Sequence, residues 1–229
     1  MLSIIIPTYN EAEKIGSLIS YLIKSSLGKN VEIIVADGGS IDNTLKQSTE
    51  AGATGILSPV KGRAAQMNFG ASIAKGDIFY FIHADTLPPE GFVADIETAV
   101  EQGYDLGRYR TRFAANKNIL KINAFFTRFD LFVCYGGDQT LFITKKLFTQ
   151  INGFKNDMLI MEDYEIVKRA RLLGKYKIFK KSALVSARKY ETNSWFKVQK
   201  ANKTIVDMYK NGSPQQAMVD KYQELLNFR

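Results

Sequence analysis

Short apolar runs alternate with helix-period segments through the first hundred residues, and each run stops at polar or glycine-bearing residues. Ile4-Ile5-Ile6 is an unbroken apolar triplet, as a strand covered on both faces requires. Ile15, Leu18, Ile19, Leu22 and Ile23 follow at a spacing that puts all five on one helix face. Asn10 stands where the N-cap of that helix is expected, with Glu13 three residues on as in a capping box. Val31–Ala36 reads as a second buried strand, Asp42–Ala51 as a helix and Ala53–Leu57 as a short third strand. Gly62–Lys75 reads as a small-residue helix, Ile78–Ile82 as the fourth strand, and Pro88-Pro89-Glu90 as the opening of another helix. Such alternation implies an α/β fold built on a parallel sheet with right-handed crossovers, whose ligands gather at the carboxyl ends of the strands.

The second half is less regular. Tyr104–Phe113 reads as a strand, Lys117–Val133 as an aromatic-rich helix, and Leu141–Ile143 as a short strand before a helix to Ile151. Met161–Leu173 reads as a helix ended by Gly174. Two short strands, Tyr176–Phe179 and Leu184–Ala187, precede closing helices Ser194–Tyr209 and Pro214–Asn227. No repeat or linker interrupts the 229 residues, so a single domain over 1–229 is expected.

Hydrophobic residues make up 45% and charged residues 24%, which excludes a disordered chain. No stretch approaches the roughly 20 apolar residues of a membrane helix, and the opening residues read as a strand, not as a secretory signal. The single cysteine, Cys134, lies in an apolar context and is expected in the core; with no disulfide possible within the chain, a cytoplasmic setting is expected. The net charge of +8 is uneven: residues 1–100 hold 7 Lys/Arg against 11 Asp/Glu, and residues 101–229 hold 24 against 12. A basic half suits an anionic ligand, an anionic membrane or a solvated face, and no nucleic-acid motif accompanies it. Phe125, Phe126, Phe129 and Phe132 fall near helical spacing, which serves either core packing or peripheral contact with a membrane.

Three segments follow apolar strands: Pro7-Thr8-Tyr9-Asn10-Glu11, Asp37-Gly38-Gly39-Ser40 and His83-Ala84-Asp85. In a parallel sheet they share one edge. Asp37 is placed either to accept hydrogen bonds from a base or ribose, or to cap a helix. Asp85 ends an apolar strand, where a carboxylate suits magnesium or manganese; such ions keep waters and bridge diphosphate oxygens. His83 is a second candidate ligand. Arg63 opens a helix and would cradle phosphate together with free helix N–H groups. Glu162-Asp163 begins another helix, where acids answer the helix dipole or supply a general base. Gly136-Gly137-Asp138-Gln139 is a polar segment suited to contact acceptor or donor.

Taken together, Ile4–Glu11 with Ile34–Thr44 resembles the family 2 glycosyltransferases of the GT-A fold, whose mostly parallel, Rossmann-like sheet is flanked by helices. Gly62-Arg63-Ala64-Ala65-Gln66-Met67-Asn68, Phe81–Thr86, Gly137-Asp138-Gln139 and Ser186-Ala187-Arg188 further resemble a small subfamily associated with arsenosugar biosynthesis and radical-SAM enzymes. The likeness covers roughly residues 1 to 195, and implies a nucleotide-binding half over 1–115 and an acceptor and catalytic half over 116–195, with 196–229 a pair of C-terminal helices. It implies a hexosyltransferase-type enzyme that moves a sugar from a nucleotide-diphosphate donor, with inversion, to a small-molecule or lipid-linked acceptor. Pro7, Thr8, Tyr9, Glu11, Asp37, Gly38 and Ala84 would hold the nucleotide, and Arg63 would lie near it. Asp85 takes the place of the last acid of the family's D-x-D motif and would hold a divalent metal, Mn or Mg, with His83 standing where the first acid would be. Asp163, beside Glu162, would be the base that deprotonates the acceptor, and the metal would stabilise the leaving diphosphate. Asp138, Gln139, Arg188 and Trp195 would contact acceptor or donor sugar. The Q-x-x-R-W signature of processive synthases is absent, Arg188 and Trp195 having the wrong spacing. A nucleotidyltransferase would need a basic glycine-rich loop after the first strand, where this chain has Asn10-Glu11-Ala12-Glu13; a non-catalytic nucleotide-sugar-binding protein would not need both Asp85 and Asp163.

Overall fold

The structure, a computed structural model, describes residues 1–115, 117–135 and 139–226. Asp138 therefore lies outside the described residues. The chain runs β1 (Leu2–Thr8), α1 (Ala12–Ser25), β2 (Val31–Asp37), α2 (Thr44–Glu50), β3 (Thr54–Leu57), α3 (Arg63–Ile73), β4 (Ile78–Phe81), β5 (Thr86–Leu87) and α4 (Phe92–Glu101). It continues through β6 (Leu106–Phe113), α5 (Leu120–Phe126), β7 (Leu141–Thr144), α6 (Lys145–Gln150), α7 (Glu162–Ala170), β8 (Tyr176–Val185), α8 (Lys189–Thr192), α9 (Trp195–Lys210) and α10 (Gln215–Leu225).

One sheet orders its strands β3-β2-β1-β4-β7-β6-β8-β5. The first four are parallel, as the alternating pattern requires. On the far side β6 and β8 are also parallel, while β7 is antiparallel to both β4 and β6, and β5 to β8, so the sheet is mostly parallel, as expected. Side chains of successive residues divide between the two faces. Ile4, Ile6, Ile78 and Tyr80 pack with α1 and α4 residues, while Ile5, Phe79 and Phe81 pack with those of α3, α6 and α7. This is the period-2 geometry of a strand buried on both sides. Pro7 falls beyond the end of the β1–β4 pairing, so its missing N–H costs the ladder little.

Several expectations need correction. Asn10 does not cap α1: its φ is 53° and its side-chain oxygen accepts a hydrogen bond from the Ile41 N–H, while Glu11 takes the N-cap position without a side-chain bond. Of the five apolar residues assigned to α1, Ile15, Leu18, Ile19 and Leu22 are buried but Ile23 is exposed. The two strands expected around residue 180 are one strand, β8, whose pairing with β6 jumps from Phe179 to Ser182 and leaves Lys180 and Lys181 out of register. Two lysines flanked by apolar residues read as a break in sequence, but a bulge accommodates them.

The expected helix over Lys117–Val133 is a two-turn α5 and a separate 3-10 turn at Phe132–Cys134. The break is held by Arg108 on β6, which is 1% exposed. Its guanidinium donates to Thr127 O at 2.6 Å, to Phe129 O at 3.1 Å and to the Tyr176 hydroxyl at 2.8 Å. Those carbonyls are bonded by the arginine instead of by the next helical turn. As a result Phe125, Phe126 and Phe129 stay 46%, 48% and 41% exposed, while Phe132 packs on Tyr164 against the core. Cys134 is buried, and burial pushes its thiol pKa up.

Candidate active site

The carboxyl ends of β1 and β2 are laced into one rigid unit. Thr8 Oγ1 donates to Asp37 Oδ2 at 3.1 Å, and the N–H groups of Gly39 and Ser40 donate to Asp37 Oδ1 at 2.9 and 2.8 Å. The Ser40 hydroxyl donates to Asp37 Oδ2 as well. Asp37 is 1% exposed and accepts four bonds, three from its own loop and one from Thr8 on β1, so a nucleotide would have to exchange with one of them. The turn needs Gly39, whose φ is 87°.

The loops are also joined across. Asn10 N donates to Ser40 Oγ at 2.8 Å, and Glu11 N to Thr44 Oγ1 at 2.8 Å. Gln66 on α3, buried, donates from Nε2 to both Thr8 O and Ala36 O at 2.7 Å. A Cβ at Gly38 would sit 3.0 Å from that same amide, so glycine lets α3 approach the strand ends. The sequence reading assigned Gln66 no role of its own; a glutamine inside a small-residue helix face was the available signal. Tyr9 is half exposed, with Lys61 Nζ 5.9 Å from its ring centre.

Asp85 lies just past β4, and Ala84 before it is buried. Arg188, directly after β8, brings its guanidinium to this edge. Nη2 lies 2.8 Å from Asp85 Oδ2 and 3.2 Å from Glu11 Oε1. Partial burial alone would lower the Arg188 pKa, but the two carboxylates raise it further. Arg188 thus joins Asp85 and Glu11, the ends of β4 and β1. Trp195 instead donates its indole N–H to Asn123 Oδ1 at 3.0 Å and lines a small separate cavity of about 300 Å³ beside α8.

For a divalent ion, Asp85 supplies one strand-end carboxylate with His83 two residues before it. Among the described residues no group of three or more His, Cys, Asp and Glu side chains is gathered. That donor set fits Mg²⁺ or Mn²⁺, which take one or two carboxylates and complete their shells with water and phosphate oxygens. Arg188 would first have to release Asp85 Oδ2.

The second acidic pair stands at the start of α7. Met161, the residue before it, has a left-handed φ of 68° and is buried, a costly conformation for a side chain-bearing residue. The turn sends Glu162 inward, where it is 2% exposed and 2.8 Å from Arg63 Nε on α3. Neither Glu162 oxygen accepts a hydrogen bond, so the contact is a charge pair. Asp163 faces a cavity of about 770 Å³ whose wall also includes Arg63, Gln139, Tyr164 and Tyr190, with residues of α5, α9 and α10. Burial pushes the Tyr164 pKa up, and the neighbouring Asp163 charge pushes it further. Behind this turn, Glu165 is held below the ordinary carboxylate range: burial opposes its charge, but hydrogen bonds from Arg169 and Lys155 prevail.

The structure therefore gathers Thr8, Glu11, Asp37, Asp85 and Arg188 at the strand ends, and Arg63, Asp163 and Gln139 around the cavity, with Glu162 buried behind Arg63. Gln66 links the groups, since it sits one helical turn after Arg63 and bonds the ends of β1 and β2. Gln215 on α10 carried no sequence signal. Its Oε1 accepts from the N–H groups of Leu159 and Ile160 at 2.9 and 3.1 Å, which pins the turn leading to Asp163.

Comparison with known proteins agrees with this fold. The family model for glycosyl transferase family 2 matches residues 3–155. A dolichol-phosphate mannosyltransferase of Pyrococcus furiosus is 31% identical over 109 residues, 45% of this chain and 31% of its own length. An undecaprenyl-phosphate 4-deoxy-4-formamido-L-arabinose transferase of Proteus mirabilis is 32% identical over 119 residues, covering 48% and 36%. The chain thus spans about a third of the length of these curated relatives. Among solved structures, S. aureus TarS in complex with UDP has a TM-score of 0.69 at 16% identity, covering 99% of this chain and 70% of that one. The mannosyltransferase PcManGT from Pyrobaculum calidifontis, in complex with GDP-Man and Mn²⁺, gives 0.67 at 15%, covering 98% and 69%. These likenesses show a shared GT-A fold. With two thirds of its residues matched by the family model, the chain belongs to glycosyl transferase family 2.

Proposed function

We propose that the chain transfers a sugar, of the hexosyl type, from a nucleoside diphosphate to a hydroxyl-bearing acceptor, with inversion at the anomeric carbon. The observation that carries the reading is Asp163 facing a cavity from a strained turn, one residue from the Glu162–Arg63 pair. In this reading the acceptor oxygen bonds to the anomeric carbon, and its proton passes to Asp163. The anomeric carbon–phosphate oxygen bond breaks with its electron pair leaving on the nucleoside diphosphate. Arg63 and Arg188 supply positive charge near that leaving group. Asp37, Glu11 and the exposed ring of Tyr9 form the nucleoside end. Gln139 and Arg188 would contact sugar or acceptor, as would Asp138, which lies outside the described residues, and Trp195 would act through its bond to Asn123.

A divalent ion would be held by Asp85, with His83 as the neighbouring ligand; when bound it neutralises diphosphate charge. Structural neighbours crystallised with Mn²⁺ support the expectation without identifying the ion here. Incubating the protein with a panel of UDP- and GDP-sugars is expected to release nucleoside diphosphate from at least one of them, and faster with Mn²⁺. Asp85→Asn is expected to reduce that Mn²⁺ stimulation at least about tenfold. No release from any donor would overturn the reading, and an undiminished stimulation would overturn the assignment of Asp85.

The relatives' names concern lipid-phosphate acceptors. No helix among the described residues is long and apolar enough to cross a membrane. Peripheral contact through α5 is the reading supported by exposed Phe125, Phe126 and Phe129 beside Lys117, Lys121 and Arg128, a segment with no acid from residue 114 to 129. Co-sedimentation with anionic but not neutral liposomes is expected, and no sedimentation with either would end it.

A further inference from the structure

We infer that the 770 Å³ cavity is an acceptor chamber completed by α9 and α10, and that it takes an amphiphile: a hydroxyl-bearing head beside Asp163 and an apolar body leaving past Phe126. The inference rests on the glycosyltransferase reading, because Asp163 is the group that would accept the hydroxyl proton. It also gives the C-terminal helices, which carry no motif, a function.

Size is the first argument. A cavity of about 770 Å³ lies within the range of roughly 300–1,000 Å³ typical of small-molecule sites, and is too small to enclose a polymer. Chemistry of the wall is the second. Ile205, Val206 and Val219 present an apolar surface, yet Gln199 and Asn202 project from the same α9 and Gln223 from α10. A wholly apolar ligand would strip water from those amides without replacing its hydrogen bonds, and a wholly polar ligand would leave the aliphatic wall unused. An amphiphile satisfies both. Gln139 Oε1, buried and without a hydrogen-bond partner, is an acceptor ready for a hydroxyl of the head.

Continuity with the surface is the third. Phe126 is both part of the chamber wall and half exposed. Its ring centre is 5.8 Å from that of Phe125 and 6.2 Å from that of Phe129. An apolar tail passing Phe126 would therefore meet further aromatic surface instead of bulk water. Finally, α10 couples the chamber to the base. It supplies Val219, Tyr222 and Gln223 to the wall, and its Gln215 pins Leu159 and Ile160 just before the Met161 turn.

The test compares octyl β-D-glucoside with methyl β-D-glucoside, two probes with one head, below their micelle-forming concentrations. Trp195 is the protein's single tryptophan and its indole is bonded to Asn123 on the chamber wall, so its fluorescence reports occupancy independently of turnover. The octyl probe is expected to bind at least about tenfold more tightly than the methyl probe, given the apolar area it buries. Val219→Phe, which fills the chamber from a partly exposed α10 position, is expected to weaken octyl binding at least about tenfold with the circular dichroism spectrum unchanged. Leu27→Ser, an equally apolar but exposed position far from the chamber lining, is expected to leave it within about twofold. Equal binding of the two probes, no binding of either, or loss on Leu27→Ser but not Val219→Phe would overturn the inference. Release of nucleoside diphosphate by a protein that fails these tests would leave the transferase reading standing, and chamber binding by a protein that turns over no donor would refute that reading instead.

Discussion

Asp163→Asn is expected to lower kcat for transfer by at least about a hundredfold, the usual contribution of a positioned general base, while leaving nucleoside diphosphate binding within about twofold. Asparagine matches aspartate in shape but cannot take a proton. The substitution keeps the Met161 turn and leaves the Glu162–Arg63 pair intact, because Glu162 is a separate buried residue 2.8 Å from Arg63 Nε. On the donor side, Thr8 bonds Asp37, and Arg188 bonds Glu11 and Asp85. Steady-state rates together with calorimetric titration of nucleoside diphosphate separate the two effects. Unchanged kcat would remove Asp163 from the mechanism. Loss of nucleotide binding as large as the loss of rate would make the residue structural.

Arg108→Met is expected to destabilise the fold by roughly 3–6 kcal/mol, because two buried carbonyls lose their charged donor. Methionine fills part of the volume but donates nothing. Two carbonyls, Thr127 O and Phe129 O, then lose a charged donor, and hydrogen bonds of that kind are worth about 1.5–3 kcal/mol each. Against a total stability of roughly 5–15 kcal/mol, such a loss is a large share. The effect is also local, because these carbonyls end α5 and set the exposure of Phe125, Phe126 and Phe129. Chemical denaturation should show a lower midpoint, and limited proteolysis should cut first near residues 127–131. A midpoint within the error of the parent protein would refute the role assigned to Arg108. Arg108→Lys separates charge from geometry: one ammonium on a flexible stem cannot reach both carbonyls and the Tyr176 hydroxyl as the planar guanidinium does.

Much of the donor half was legible in the residues. Strands covered on both faces read as unbroken apolar runs, and helices covered on one face read as a 3.6-residue period, so β1, α1, β2 and β4 were evident from Ile4–Ile6, Ile15–Leu22, Val31–Ala36 and Ile78–Ile82. Both patterns arise from local geometry and burial, which a sequence records directly. Parallel pairing then placed Thr8, Glu11, Asp37 and Asp85 on one edge. The same logic failed where the pattern had more than one cause. Phenylalanines at helical spacing look alike whether they face a core or solvent, and only Arg108, reaching from β6, decides that α5 stops at Phe126. The Lys180–Lys181 pair looks like a turn, and only pairing with β6 makes it a bulge.

What the sequence determined by itself was a parallel α/β frame with polar groups at its strand ends, together with the family to which those motifs belong. Tertiary structure alone decided which groups share a space: Arg188 between Glu11 and Asp85, Glu162 on Arg63, Gln66 across two loops, and the C-terminal helices around the chamber before Asp163. The physical reason is range. Periodicity and turn chemistry act over a few residues, whereas Arg188 and Glu11 are 177 positions apart and meet only once the sheet has closed.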